Sequence, residues 1–388
     1  MRVQVVDPSA FTPPYDHALC SALAGLGADV ELVTSRFAYE AVPDPQGYAR
    51  RELFYRRALG APGSQLRRVS KLLAHVPDML AYRRHAAAAE VVHFQWLALQ
   101  WLDARLLPDR PLVLTAHDLL PREARPGQAR AQRRLYDRVG AVVVHSEYGR
   151  RLLAGLGVDP GKLHVVPHGA FEHLTRQPVE VPLPAELAQV SGPVVLFFGL
   201  LRPYKGLETL LRAWQGVSGA WHGVSGARQG VSGAWQGVSG AELWVVGRPR
   251  MDLDPLRPLL TPSVRLRPQF VSDAELPAYF RRADVVVLPY SRTDRLDQSG
   301  VLATALAFGR PSVVSDIGGL SEIAATGAAK LVAPGDPRAL RDALIELLQD
   351  PGERERVAAA ALAAARGPYS WPAVARRTLE VYERVRRS

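Results

Sequence analysis

Val194-Val-Leu-Phe-Phe-Gly-Leu-Leu-Arg-Pro-Tyr-Lys-Gly-Leu207 decides the fold. Its first five residues are apolar, as in a strand covered on both faces, and Gly199 and Pro203 then break the run. Gly206 precedes a helix expected to open near Leu207. A buried strand feeding a helix through a short turn is half of a parallel βαβ unit. Arg202 and Lys205 leave the chain where strand becomes helix, the end at which doubly wound sheets hold ligands. A forked guanidinium and a mobile ammonium placed there suit a diphosphate. Lys205 is one of only four lysines, beside Lys71, Lys162 and Lys330; the other 44 of the 48 Lys+Arg are arginine. The plainer reading of Lys205 is a solvated cation at a helix start.

The same pattern extends in both directions. Downstream, Leu243–Val246, Val264–Leu266, Val285–Leu288, Ser312–Ser315 and Leu331–Val332 read as strands. Upstream, Val3–Val6, Val30–Val33, Val91–Phe94, Val113–Thr115, Val142–Ser146 and Leu163–Val166 form a second series. Helical stretches such as Gly127–Val139 and Tyr148–Leu156 separate them. Gln177–Pro193 carries four prolines and reads as a linker. The expected architecture is α/β: two doubly wound Rossmann-like parallel-sheet domains facing a central cleft, residues 1–178 and 186–370. The tail, 371–388, is helical and is expected to pack back on the first domain. A length of 388 residues fits two domains.

One segment interrupts the second series. Trp214-Gln-Gly-Val-Ser-Gly-Ala220 recurs as Trp221–Ala227, Arg228–Ala234 and Trp235–Ala241. Two glycines per copy and no paired leucines argue against a coiled coil. Residues 215–241 read as a tandem duplication carried as a surface loop without a role; a functional version would use Trp221 and Trp235 for stacking.

Asp297-Gln-Ser-Gly-Val-Leu-Ala-Thr304 opens another helix, Val301–Phe308, which Gly309 and Pro311 stop. Ser299, Gly300 and Val301 lie at its N-terminus, where unpaired N–H groups and the dipole favour an anion, though Ser299 is also an ordinary cap. Paired with Arg202 and Lys205, this is a candidate pyrophosphate cradle. Glu322, in the first turn of the next helix, needs no role beyond complementing the dipole. His117, in Thr115-Ala-His-Asp-Leu-Leu-Pro121, follows a strand end and is a candidate to touch a phosphate or an acceptor hydroxyl. His93, His145 and His168 also sit at strand ends, but they leave four different strands without a shared ligand motif, and no metal is expected. Asp252-Leu-Asp254 imitates a metal-binding carboxylate pair within a Pro-rich loop and is set aside.

Composition narrows the rest. Hydrophobic residues make up 47% and charged residues 22%, and no apolar run is long enough to span a membrane. Cys20 is the only cysteine, which excludes a disulfide framework and a cysteine zinc site. Met1–Asp7 reads as a strand rather than a signal peptide, so a cytoplasmic protein is expected. The formal charge of +10 is uneven: Arg50–Arg84 holds nine basic residues against Glu52 and Asp78. Leu66, Val69, Leu72, Leu73 and Val76 recur there at helical spacing, making a basic amphipathic helix with Arg67, Arg68 and Lys71 as its membrane or acidic-acceptor face. A merely solvated helix is the alternative. No nucleic-acid module accompanies the charge, and nucleic acid is not an expected partner.

His93-Phe-Gln-Trp96, the Thr115–Pro121 stretch, Val144-His-Ser-Glu-Tyr-Gly149, Val166-Pro-His-Gly169, the Arg202–Gly206 turn, Ala283–Tyr290, Gln298–Leu302 and Ala307–Glu322 follow one another in an order that resembles glycosyltransferase family 4. That resemblance implies the GT-B fold and transfer of a sugar from a nucleoside diphosphate sugar, with retention and without a catalytic metal or other cofactor. It implies a UDP- or GDP-sugar donor on the second domain and a glycan or polyprenyl-linked acceptor on the first, at the inner membrane face. It gives Arg202 and Lys205 the departing diphosphate, helped by Ser299–Val301, and puts His117 beside the transferred sugar or acceptor. The sugar or ribose would meet Asp297, Gln298 and Thr304, and the nucleobase the loops at Gly247 and Phe270. Two glutamates common in the family are absent, their places falling on Leu296 and Thr304. The usual arginine lies five positions before the lysine, here Leu200, whereas Arg202 lies three before. A catalytically silent binding protein of the same fold is therefore the alternative.

Overall fold

In a computed structural model that describes residues 1–97, 99–120, 127–176, 181–218, 237–293 and 297–387, the apolar runs form two parallel sheets. The described residues divide into two compact units, 1–171 with 297–298 and 367–387, and 172–293 with 299–366.

In the first unit the chain runs β1 (Arg2–Asp7), α1 (Pro13–Gly25), β2 (Asp29–Ser35), β3 (Ala49–Phe54), α2 (Gln65–His85), β4 (Val91–Phe94), α3 (Gln100–Leu106), β5 (Leu112–Thr115), α4 (Gln128–Arg138), β6 (Ala141–Val144), α5 (Glu147–Gly155) and β7 (Leu163–Val165). The sheet order is β3-β2-β1-β4-β5-β6-β7. Successive strand residues point to opposite faces. Val6, Val92, Leu114 and Val142 pack with α2, α3, α4 and α5, whereas Val5, Val91, Val113 and Val143 pack with α1 and the C-terminal helix. The sheet therefore separates two cores. β3 opens the basic Arg50–Arg84 stretch, ahead of the apolar positions from Leu66 to Val76 that fall in α2. Its sequence Ala-Arg-Arg-Glu-Leu-Phe sits at the sheet edge with three of its six residues exposed, so it lacks the apolar run that betrays the other strands.

The second unit contains α6 (Glu172–Arg176), α7 (Ala185–Ala188), β8 (Val194–Phe198), α8 (Leu207–Val217), β9 (Glu242–Val246), β10 (Val264–Arg267), α9 (Leu276–Arg282), β11 (Val285–Leu288), α10 (Gly300–Ala307), β12 (Ser312–Ser315), α11 (Leu320–Ile323), β13 (Lys330–Val332), α12 (Pro337–Gln349) and α13 (Pro351–Arg366). Its sheet runs β10-β9-β8-β11-β12-β13. In both sheets the strand order reverses beside the unit's first strand, between β1 and β4 and between β8 and β11, the switch points where open α/β sheets take ligands. The last helix, α14 (Trp371–Arg387), returns to the first unit and packs on α1. A Cβ on Gly169 would lie 2.5 Å from the Trp371 ring, so the Pro-His-Gly turn admits α14 only because that residue is glycine.

The heptads enter the second core at both ends. Trp214 is fully buried in α8, its Nε1 donating to Ser263 Oγ at 3.0 Å, so the first copy begins as helix, through Val217. Residues 219–236, with Trp221 and Trp235, lie outside the described residues, as do 177–180 of the expected linker. The ends of the stretch meet: Val238 N–H donates to Val217 C=O at 2.8 Å. Val217 and Val238 hold the same position in copies three apart, so deleting residues 218–238 leaves Val217-Ser-Gly-Ala-Glu intact. The deletion variant should melt within roughly 1 kcal/mol of the full chain, because closing a shorter loop changes the entropy only slowly with length. Thermal unfolding of the two proteins side by side checks this.

Candidate functional site

At the switch point of the second sheet, Gly199 ends β8 with φ of 103° and its N–H bonds Val246 C=O. Arg202 then enters a single helical turn, Pro203–Lys205, which Gly206 closes at φ of 71°. A Cβ on Gly206 would fall 1.8 Å from Pro289 C=O, so the turn rests directly on the end of β11 and position 206 must be glycine. This seating carries Lys205 inward. The residue is 7% exposed, and its ammonium lies 5.4 Å from the Tyr290 ring centroid. A Cβ on Gly199 would stand 3.0 Å from Lys205 Nζ and 3.2 Å from Val301 Cγ2. Gly199 therefore forms a bare floor between the lysine and the first turn of α10.

Ser299 precedes α10 in extended conformation, and no side chain caps the helix. Its hydroxyl instead pairs with Tyr290 O–H at 2.9 Å. The backbone donors that open α10 thus stand beside Lys205, with Tyr290 bridging the two. Arg202 is half-buried, and its Nε is a buried donor without a hydrogen-bond partner among the described residues. Such a donor is unfavourable unless an anion completes it. Gly247 lies against the same floor, since its Cβ would overlap Gly199 C=O, while Phe270 is 45% exposed in the loop after β10. Lys205, Val301 and Gly247 therefore meet at Gly199, with Ser299 reached through Tyr290 and Arg202 one turn before Lys205.

Asp297 and Thr304 both have partners within the protein. Asp297 is fully buried in the first unit, where its carboxylate accepts from His145 N–H at 2.5 Å and from Ser146 O–H. It fastens the start of α5; Gln298 is buried beside it. Thr304 donates its hydroxyl proton to Gly300 C=O at 2.8 Å inside α10, which leaves its oxygen as an acceptor. The basic face changes. Arg67 and Arg68 lie on the solvent side of α2, but Lys71 turns inward over the Tyr55 ring at 4.7 Å, where burial and then the Arg67 charge lower its pKa.

In the first unit the strand-end histidines converge. They leave different strands, but β4, β5, β6 and β7 are consecutive neighbours, which stands their ends side by side. His117 Nδ1 meets His145 Nε2 at 3.2 Å, and His145 Nδ1 donates to Val166 C=O at 3.0 Å. His117 Nε2 faces Gln95 Oε1 at 3.0 Å; the Gln95 amide nitrogen reaches His93 Nε2, and His93 Nδ1 pairs with Tyr382 O–H at 2.7 Å. Burial holds His93 and His168 down at about 3 and His145 at about 4, so all three are neutral near pH 7. Half-exposed His117 stacks on Trp96, centroids 4.9 Å apart. Among the described residues no group of three His, Cys, Asp or Glu is placed to hold a metal ion.

Hydrogen-bond direction links Gln95 to the charge on His117. A carbonyl only accepts, so neutral His145 keeps its proton on Nδ1 and receives one from His117 Nδ1. With Gln95 Oε1 also accepting, both His117 nitrogens face acceptors, the arrangement an imidazolium satisfies. Half a turn of the Gln95 amide offers N–H instead and suits the neutral ring. Gln95→Glu should therefore raise the pH at which His117 half-titrates, and Gln95→Leu should lower it, both read from the ring resonances by NMR. Sequence reasoning missed position 95; its place in His93-Phe-Gln-Trp96, next to a strand-end histidine, is the signal that could have found it.

Known proteins supply the context for this geometry. The Glycosyltransferase Family 4 signature matches residues 15–170, and that of Glycosyl transferases group 1 matches residues 192–350. A D-inositol 3-phosphate glycosyltransferase of Kineococcus radiotolerans is 30% identical across 95% of this chain and 88% of its own length. A phosphatidyl-myo-inositol mannosyltransferase of Mycobacterium leprae is 35% identical over 50% of this chain and 47% of its own. Among solved structures, Anabaena HepE in complex with UDP and glucose superposes with a TM-score of 0.71 at 17% identity, covering 99% of this chain and all of that one. The chain belongs to glycosyltransferase family 4 and is a glycosyltransferase of the GT-B fold.

Proposed function

We propose that the protein transfers a sugar from a nucleoside diphosphate sugar to a glycan or polyprenyl-linked hydroxyl acceptor, with retention of anomeric configuration and without a catalytic metal. The meeting of Lys205 and the α10 N-terminus at Gly199, with the Arg202 Nε, unpartnered among the described residues, three residues before the lysine, carries this reading. As the bond from the anomeric carbon to the diphosphate breaks, negative charge grows on the leaving oxygen. Fixed cations and N–H donors aimed at that oxygen stabilise it without reorganising, and no other feature of such a site lowers the barrier as much. The acceptor oxygen bonds the anomeric carbon and passes its proton to the departing diphosphate oxygen, which leaves with the nucleotide. His117, tied to Gln95 and stacked on Trp96, serves the transferred sugar or the acceptor. A UDP- or GDP-sugar is the proposed donor; the UDP held by Anabaena HepE favours the former. Gly247 and Phe270 are the proposed nucleobase contacts. The relatives named for inositol phosphate and phosphatidyl-inositol favour a phosphorylated or lipid-borne acceptor.

The test is incubation with UDP- and GDP-sugars and a panel of glycan and polyprenyl-linked acceptors in the presence of EDTA, with the product's anomeric proton coupling read by NMR. A product with the donor's configuration is expected. Nucleotide binding without transfer or donor hydrolysis would favour the silent alternative.

The second part of the proposal is peripheral attachment to the cytoplasmic membrane face. Only His75, Met79 and Tyr82 of α2 are buried, while Leu66, Val69, Leu72 and Leu73 are 55–73% exposed. An apolar stripe turned outward beside Arg67 and Arg68 suits the boundary between headgroups and acyl chains. Among the described residues no helix is long and apolar enough to cross a membrane.

A further inference from the structure

Between α3 and α4, in the same helical layer as α2, lies a groove of about 980 Å³ lined by Trp101, Arg105, Arg130, Arg134 and Arg138, with Asp137 its only acid among the described residues. Arg130, Arg134 and Arg138 recur every fourth residue and form one ridge of α4, all exposed. Like charges at that spacing oppose each other and disfavour the helix. Some helical arginines elsewhere are paired along the helix, Arg150 with Glu147, Arg212 with Glu208 and Arg356 with Glu353. Among the described residues no carboxylate pairs with the α4 ridge, so its three stacked charges are open to an anion from outside. Across the groove Arg105 bonds Trp101 C=O at 2.8 Å, and Trp101 is 61% exposed at the rim.

We propose that the α3–α4 groove is a binding site for the phosphate headgroups of anionic lipids. This rests on the membrane attachment proposed above and extends it from one helix to a face of three. α2 packs on α3 and α3 on α4, so their outer sides belong to one layer on one face of the sheet. The stripe on α2 enters the apolar boundary, the arginines take the phosphates beside it, and Trp101 sits at headgroup level, the depth tryptophan favours. A nucleic acid offers phosphates but no apolar phase for Leu66, Val69 and Leu73.

The experiment is co-sedimentation of the full chain with vesicles of phosphatidylcholine alone or with added phosphatidylglycerol. Four proteins are compared: wild type, the triple variant Arg130→Gln, Arg134→Gln and Arg138→Gln, the stripe variant Leu66→Ser with Leu73→Ser, and Arg212→Gln as a surface-charge control. Glutamine keeps helix propensity at exposed positions, and thermal melts confirm that each variant is folded. Wild type should bind only the anionic vesicles. The triple variant should lose affinity on the order of a hundredfold, three surface cations' worth, while Arg212→Gln binds as wild type. A triple variant that binds as tightly as wild type overturns the groove and leaves the α2 attachment standing, which the stripe variant tests separately. A wild-type protein that ignores anionic vesicles overturns both. Binding of inorganic polyphosphate or duplex DNA through the same arginines, with none to vesicles, overturns the assignment to lipid.

Discussion

Lys205→Ala should lower kcat by about 10²–10³-fold, the usual effect of removing one donor aimed at a developing anion. The reason lies in the turn. Gly206 seats it against Pro289, which holds the Lys205 ammonium over Gly199 beside the opening of α10. Lys205→Arg should not rescue the loss. The ammonium already stands 3.0 Å from where a Gly199 Cβ would be, so the wider guanidinium has no room without moving the floor. Arg202→Ala should have a smaller effect, roughly tenfold, because Arg202 is only half-buried and solvent screens it more. Steady-state kinetics on the three variants, with melting temperatures as a check on folding, read these outcomes. If Lys205→Arg were as active as wild type, the close approach at Gly199 would have no bearing on the reaction.

The second large effect is on stability in acid. His93, His145 and His168 take up protons in the unfolded chain near pH 6.5, but in the folded chain burial holds them down at about 3 to 4. Their folded values are depressed, so their contribution is complete above pH 6.5 and is lost as pH falls toward 4. Between those limits these three imidazoles bind up to three more protons in the unfolded state and contribute a slope of about 4 kcal/mol per pH unit. Depressed His17 and His164 steepen it, and the raised carboxyls of buried Asp7 and Asp16 oppose it. Denaturant melts from pH 7.5 to pH 4.5 should show a plateau and then this fall. His168→Gln, which removes one of the three titrations, should reduce the slope by about a third. A flat profile would mean that these imidazoles take protons in the folded state.

What is legible in the sequence follows from chemistry that acts locally. Val285–Leu288 and Val194–Phe198 are strands because continuous apolar runs have no other home in an α/β protein, and their bounds are readable to the residue. The Arg202–Gly206 turn is readable because Gly and Pro fix backbone shape. β3 is not readable: its arginines serve an exposed edge, and its pairing with β2 is a long-range fact. The neighbours of Asp297 in the chain point it toward a sugar, but its partners, His145 and Ser146, lie some 150 positions away, at separations of 152 and 151. The histidines look scattered because their spacing is irregular; only the strand order makes them adjacent. Lys71 shares the helical periodicity of α2, but its rotation toward Tyr55 depends on tertiary packing.

The most direct test of the diphosphate cradle is thermal unfolding of wild type and Lys205→Ala with saturating UDP, GDP, ADP, CDP or dTDP. A nucleotide at about a hundred times its dissociation constant adds ~2.7 kcal/mol, a shift of a few degrees. The account predicts that one nucleotide, UDP first, raises the wild-type melting temperature and that the shift disappears in Lys205→Ala. No shift with any nucleotide, or the same shift in both proteins, would contradict it.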